Sequence, residues 1–283
     1  MDAIHRFSKP HLRRPRAILA FEGWNDAADS ASGSVNYLRE ELHLDEPFAA
    51  IDPEEFYDFQ AHRPQVAIND GGTRSLSWPM TRFFAAAMPE DDRDLLLVIG
   101  DEPSFRWKTY ARHITQVLVE HDVEEAVLLG AFIGQVSHQS PVPVVGVATD
   151  PSLVNELGLM TSSYEGPTGI VGVLLEACRE VGLPTLSLWA ATPHYLAANP
   201  NPKAMLALTR AARTALDLKV DLGRLDSMAN DFVERVDRAL ESSEDLQDYV
   251  AELEDADEGT IDPNAGEELL DEIEDFLREQ PDK

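Results

Sequence analysis

Carboxylates and histidines are the residues of this chain best placed to do chemistry. Asp26, Asp101, Glu102 and Glu165 each follow an apolar run or open a helical one, while His138 and His194 fall in turn-rich stretches. A carboxylate facing a histidine across a cleft can move a proton, so general acid–base work is the first chemistry this set suggests. The same carboxylates near helix N-termini also satisfy free amides and complement the helix dipole without any reaction, and that role carries more weight. Anion binding is the second chemistry. Tyr164-Glu165-Gly166-Pro167-Thr168-Gly169 precedes an apolar helical run from Ile170 to Val181, and amides there could hold an anion at the helix start. Pro167 and the glycines also account for the turn by themselves. The nearest cations for a phosphate are Arg106 and Lys108, just beyond Ser104, but Trp107 between them is expected to face the core. Asn25, Asp26, Asp101, Glu102, Ser104, Arg106, His138, Tyr164, Glu165, Gly166, Thr168 and His194 are therefore the candidate cleft residues.

Specific catalytic signatures are missing from the sequence. It has no Gly-x-Ser-x-Gly elbow, no phosphate loop ending in Gly-Lys-Ser/Thr, no His-Glu-x-x-His and no dinucleotide fingerprint after the first strand. Ala31-Ser32-Gly33-Ser34 lies inside a predicted helix, whereas an activated serine belongs on a sharp strand-to-helix turn. The single cysteine, Cys178, sits in the apolar helix with no adjacent histidine and reads as a small core residue. No histidine pair has metal-ligand spacing. Neither a catalytic residue nor a metal or cofactor is expected.

These corners need strands and helices to position them. Ala17 to Phe21, Leu95 to Gly100, Ala126 to Gly130, Pro143 to Thr149 and Thr185 to Ala190 are short apolar runs that read as buried strands. Helical patterns alternate with them, which predicts an α/β fold, a three-layer α/β/α sandwich with a mainly parallel central sheet. In an open sheet of this kind the corners gather at the carboxyl ends of the strands. Asn25 or Asp26 is expected to cap a helix through Ala27, Ala31, Val35 and Leu38, with Gly33 allowing close approach to the sheet. A helix starting near Arg106 should bury Trp107, Tyr110, Ala111, Ile114, Val117, Leu118 and His121 and expose Lys108, Arg112 and His113. Gln65 to Trp78 alternates around Asn69-Asp70-Gly71-Gly72 and predicts a β-hairpin outside the core.

Charge divides the chain in two. Residues 221–283 hold 23 acidic and 5 basic residues, net −18, leaving 29 acidic and 18 basic, net −11, for residues 1–220. A core domain over 1–220 and an acidic helical extension over 221–283 follow from that boundary. Leu218, Leu222, Leu225, Ala229, Phe232, Val236, Ala239, Ser243, Leu246, Val250 and Leu253 form a heptad seam in the extension. After an acidic break with Gly259, Pro263 and Gly266, Leu269, Leu270, Ile273, Phe276 and Leu277 predict a last amphipathic helix. A total formal charge of −29 repels nucleic-acid phosphates and anionic lipid. No apolar run reaches membrane-helix length, and His11-Leu12-Arg13-Arg14-Pro15-Arg16 lacks the apolar segment of a signal peptide. The expected location is the cytoplasm, with neither nucleic acid nor membrane as a partner.

Six ordered blocks carry a family resemblance: Gly23-Trp24-Asn25-Asp26-Ala27, Gly100-Asp101-Glu102-Pro103-Ser104-Phe105-Arg106-Trp107, Leu129-Gly130-Ala131, Gly146-Val147-Ala148-Thr149-Asp150, Tyr164 to Gly169 and Leu188 to Tyr195. Together they resemble the proteasome assembly chaperone 2 family, particularly its actinobacterial members, over roughly residues 15 to 215. The resemblance implies a sandwich of the purine nucleoside phosphorylase type, a homo-oligomer with a trimer favoured, and a chaperone-like or scaffold role linked to proteasome assembly. Two departures limit the transfer. Relatives that dock on proteasome rings end in a hydrophobic-Tyr-any-residue tail, whereas this sequence ends Glu279-Gln280-Pro281-Asp282-Lys283. Many relatives have Pro-His-Thr-Arg-Pro where this chain has Ser137-His138-Gln139-Ser140-Pro141, without the arginine. The alternative function is binding or turnover of a nucleoside-like or anionic ligand at the strand ends.

Overall fold

The computed structural model describes residues 3–69, 72–197 and 200–240, together with Val250. In chain order the first half comprises β1 (Ile4–Arg6), β2 (Arg16–Glu22), α1 (Ser30–Glu41), β3 (Ala49–Ile51), β4 (Gln65–Ile68), β5 (Arg74–Ser77), β6 (Thr81–Ala86), β7 (Leu95–Asp101) and α2 (Trp107–Glu120). The second half comprises β8 (Glu125–Gly134), β9 (Val144–Ala148), α3 (Ser152–Glu156), β10 (Met160–Thr161), α4 (Ile170–Glu180), β11 (Thr185–Pro193), α5 (Pro202–Ala215) and α6 (Gly223–Leu240). Nine strands form one sheet in the order β1-β3-β6-β7-β2-β8-β11-β9-β10, and β4 and β5 form a separate antiparallel hairpin.

The centre of the sheet, β7-β2-β8-β11, is parallel as the alternation of strands and helices predicts. Its strands are buried on both faces and accordingly read as unbroken apolar runs, with every residue from Ala17 to Phe21 inaccessible to solvent. Antiparallel pairing widens it on both sides, through β6, β3 and β1 at one edge and β9 at the other. Alternate residues of β2 divide the core into two layers. Ile18 and Ala20 pack with α1 and α5, and Ala17, Leu19 and Phe21 pack with α2 and α4. The result is the three-layer α/β sandwich expected from the sequence. Gly130 is needed for close approach, because a Cβ there would lie 2.5 Å from the Trp189 ring on the neighbouring strand.

Several boundaries differ from expectation. Residues 27–29 form a 3-10 turn before α1, with Ala28 at φ 52° and Asp29 at φ 47°, so the helix begins at Ser30. Asp26 still satisfies its first amides from below, its Oδ1 accepting from Ala31 N at 2.6 Å and Ser32 N at 3.1 Å. The close approach at Gly33 is to α5 and not to the sheet, since a Cβ there would meet Met205 Sδ at 2.9 Å. Strands β8 and β11 run past their predicted ends to Gly134 and Pro193, pairing along their whole length. The short strands β1, at the sheet edge, and β3, beside it, carry too few residues for a period-2 signal and pair only by tertiary context. His113 is half-buried against Phe56 and not exposed, with ring centroids 5.9 Å apart.

The first described residues of the predicted extension lie on the core. Asn201 caps α5 by accepting from the amides of Lys203 and Ala204, both at 3.1 Å, with Pro202 in the first turn. Helix α6 packs on α5, and its Leu225 and Ala229 join the same apolar layer as α1 and α5. Phe232, Val236, Ala239 and Val250 continue the predicted seam as buried residues. The remaining seam positions Ser243, Leu246 and Leu253, the break at 255–266 and the helix predicted over 269–277 lie outside the described residues.

Candidate functional site

Two parallel strands deliver the acidic corner. In register, Phe21 pairs with Gly100 and Glu22 with Asp101, and the Glu102 amide donates to Glu22 O at 2.9 Å. Gly23, at φ 105°, then turns the chain out of β2, a conformation that a side chain would strain. Asn25 follows, fully buried, and its carbonyl accepts from Ala131 N at 2.7 Å, tying this turn to β8.

The N-terminus of α4 is already occupied. Glu102 Oε1 accepts from Ile170 N and from Asn25 Nδ2, each at 2.7 Å. A carboxylate from the end of β7 therefore fills the position where an external anion would bind. Gly169 makes room for it, because a Cβ there would lie 2.3 Å from Asn25 Oδ1 and 2.6 Å from Glu102 Oε1. Tyr164 closes the outer side of this turn, its hydroxyl donating to Pro167 O at 2.9 Å over Gly166. Glu165 and Thr168 are solvent-exposed, with the Thr168 side chain lying over Gly172.

Carboxylates crowd the other face of the same corner. Burial pushes Glu22 up to about 7, reinforced by the nearby charges of Asp101 and Asp26. Burial also pushes Asp26 up to about 6 despite its hydrogen bonds from Ser32 and Ala31, and it raises Asp101. A carboxyl whose folded value is raised stabilises the fold below its ordinary value and loses that contribution as pH rises through the folded one. Glu22→Gln is expected to match the wild type near pH 4 and to be the more stable protein at pH 8. The gain is only about 0.5 kcal/mol because the Glu22 side chain still reaches solvent. Melting curves across that range check it, and a pH-independent difference would remove the assigned titration.

The other candidates do not converge on this corner. Ser104 Oγ accepts from Asp58 N at 3.0 Å, and Arg106 pairs with Glu55 at the surface. His138 is buried away from the α4 turn, with Nδ1 2.9 Å from Tyr195 Oη and Nε2 2.9 Å from Asp237 Oδ1 on α6. Lys203 on α5 donates to the carbonyls of His138, Gln139 (3.1 Å) and Ser140 (2.8 Å), so this loop is fastened to both C-terminal helices. Burial lowers the pKa of His194, which packs edge-on against Tyr195 with centroids 5.4 Å apart. The expectation of one mixed carboxylate and histidine cleft is thus replaced by separate clusters on different elements. None of the twelve candidates lines the cavity of about 500 Å³ between α1, α5 and α6, whose walls include Glu22, Asn36, Arg224 and Arg235.

What gathers at the strand ends is apolar surface. Trp24, Phe105, Phe132, Ile133 and Tyr164 stand 60, 51, 40, 56 and 66 % exposed at the same end of the sheet as this polar corner. They project from the ends of β2, β7 and β8 and from the turn before α4. In the corner itself Glu102 is bonded to Asn25 and Ile170, while Asn25 Oδ1 and Asp26 Oδ2 are buried without a hydrogen-bond partner among the described residues. Large exposed side chains concentrated on one end of a domain mark an interaction surface. Phe132 and Ile133 were not among the sequence candidates, although the apolar run continuing beyond Gly130 was the signal for them. Among the described residues no helix is long and apolar enough to cross a membrane.

The model of the PAC2 family matches residues 20–240. A PAC2 family protein from Streptomyces avermitilis is 45% identical, with TM-score 0.77 over 83% of this chain and 99% of its own. The Mycobacterium tuberculosis proteasome-assembly chaperone homologue Rv2125 is 39% identical, with TM-score 0.76 and the same coverage of 83% and 99%. Pyrococcus furiosus PbaB, an archaeal proteasome activator, shares the fold at 21% identity, with TM-score 0.65 over 83% of this chain and 97% of that one. No curated protein matches the chain.

Proposed function

The chain belongs to the PAC2 family, and from that premise we propose that it is a cytoplasmic, homo-oligomeric, chaperone-like or scaffold protein of proteasome assembly, with a trimer as its assembly. It acts by protein–protein contact. The observation that carries this reading is the apolar rim of Trp24, Phe105, Phe132, Ile133 and Tyr164 at the same end of the sheet as the corner in which Glu102 is bonded to Asn25 and Ile170. The 39%-identical relative named as a proteasome-assembly chaperone homologue supplies the partner class. In this reading Asn25, Asp26, Glu102 and Gly169 set the shape of the corner, and the rim meets the client. Asp101, Ser104, Arg106, Glu165, Gly166 and Thr168 flank it. His138 holds the C-terminal helices, and the acidic extension offers a second contact segment.

A nucleoside-like or anionic ligand has less in its favour. Glu102 already caps α4, Arg106 is paired with Glu55, and the adjoining groups Glu22, Asp26 and Asp101 would repel a phosphate. The test is size-exclusion chromatography of the purified chain with purified proteasome α- and β-subunits of its source organism. Co-elution and faster ring formation are expected. Elution of the chain only with itself would rule out a direct role in assembly.

A further inference from the structure

The β4–β5 hairpin has an apolar face that no described residue covers. Cross-strand pairs project to the same side, so Val66 with Leu76 and Ile68 with Arg74 define one face, and Gln65, Ala67, Ser75 and Ser77 define the other. The apolar face is open to solvent, with Val66, Ile68 and Leu76 at 58, 71 and 61 % exposure. An isolated two-stranded hairpin is marginally stable in water and gains from a covering element. Its base is held where Trp78 meets Phe59, with ring centroids 4.8 Å apart, but the aliphatic face beyond has no neighbour among the described residues. In a chain of charge −29 this face carries a cation, because Arg74 is exposed on it and forms no ion pair among the described residues.

The same sequence contains a segment of complementary character. Leu269, Leu270, Ile273, Phe276 and Leu277 recur at helical spacing, and Glu267, Glu268, Asp271, Glu272, Glu274 and Asp275 fill the positions between and before them. Counted from Val250, which is buried on the core, the 16 residues from 251 to 266 span up to roughly 53 Å when extended. A domain of this size is only about 45 Å across. We propose that the apolar face of the hairpin is the docking site for the acidic segment 267–278 of this chain, with Leu and Phe side chains on Val66, Ile68 and Leu76 and the carboxylates toward Arg74. Helix-on-apolar-surface recognition of this kind uses anchors at i, i+3 and i+4 spacing, which segment 267–278 supplies.

This goes beyond the chaperone reading and is tested without any proteasome subunit. Cys178 is the one cysteine and is fully buried, so engineered thiols report alone. In the full chain, Ile68→Cys with Ile273→Cys is expected to form a disulfide under mild oxidation, and peptide mass mapping reads whether it lies within a chain or between two copies. Ser75→Cys with Ile273→Cys, on the polar face, should react several-fold more slowly, and adding Arg74→Glu or salt should slow the first pair several-fold. All these positions on the hairpin are exposed and outside the core, so unchanged melting shows that the variants fold. Equal rates on the two faces would overturn the proposal. So would Ile68→Cys alone giving disulfide dimers as fast as the pair, which would make a second hairpin the occupant.

Discussion

Trp24→Ala combined with Phe132→Ala is expected to weaken binding to a proteasome-subunit partner by roughly 100- to 1,000-fold. Central aromatics of an interface commonly contribute about 2 kcal/mol or more when truncated, and every 1.4 kcal/mol is tenfold in affinity. Both side chains reach solvent in the isolated chain, 60 and 40 % exposed, so little core packing is lost. The melting temperature should therefore stay close to that of the wild type, within a stability change of about 0.5 kcal/mol for each exposed position. Titration calorimetry against the purified subunit reads the affinity, and a parallel melt reads the stability. Unchanged affinity would move the contact surface away from the strand ends. A loss of both affinity and stability would instead make the aromatic rim a structural feature.

Asp91→Ala should have the largest effect on the fold itself. Arg16, at the start of β2, is completely buried, and its Nη2 donates to Asp91 Oδ2 at 2.6 Å and to Arg93 O at 2.9 Å. Its Nη1 donates to the carbonyls of Leu216 at 2.5 Å and Asp217 at 3.0 Å, beyond the end of α5. One guanidinium thus joins the first central strand, the turn before β7 and the C-terminal helical layer. Removing the carboxylate leaves a buried positive charge with only carbonyl partners, a change that typically costs about 3–5 kcal/mol. For a protein of this size that corresponds to a fall of roughly 6–15 °C in melting temperature. Asp91→Asn, which keeps a hydrogen-bond acceptor, should cost less.

The pH dependence of this pair separates charge from packing. Burial raises the Asp91 carboxyl, but the hydrogen bond and charge of Arg16 and the Arg93 amide outweigh it and bring it down to about 2. A carboxyl lowered in the folded state contributes stability above its unfolded value, near 4, and loses it as pH falls through the folded value. The deficit of Asp91→Ala relative to the wild type should accordingly shrink between pH 4 and pH 2. A constant deficit would make the loss one of packing alone.

Much of the fold was legible because the central strands need no partner information to be recognised. Ala17 to Phe21 and Leu95 to Gly100 must be buried on both faces, so their sequences are apolar without alternation, and helical periodicity separates them. The hairpin was legible for the opposite reason, since a Gly-rich break between two alternating runs is a local signal. Short strands such as Ala49–Ile51 were not, because three residues carry no period and are strands only where β1 and β6 offer them hydrogen bonds.

The candidate site was legible as a list of corners and illegible as a site. The sequence by itself determined the α/β sandwich, the placement of Asn25, Asp101 and Gly169 at strand ends or helix starts, and the concentration of acid in the C-terminal extension, since each depends on local spacing or composition. Only the tertiary structure decided that Glu102 reaches across to the first amide of α4, that His138 bonds to Asp237, and that Phe132 and Ile133 stand exposed at the end of β8. Those outcomes depend on the lateral order and register of β2, β7 and β8 and on the packing of α6. Such contacts join residues far apart in the chain, so no periodicity along it can specify them.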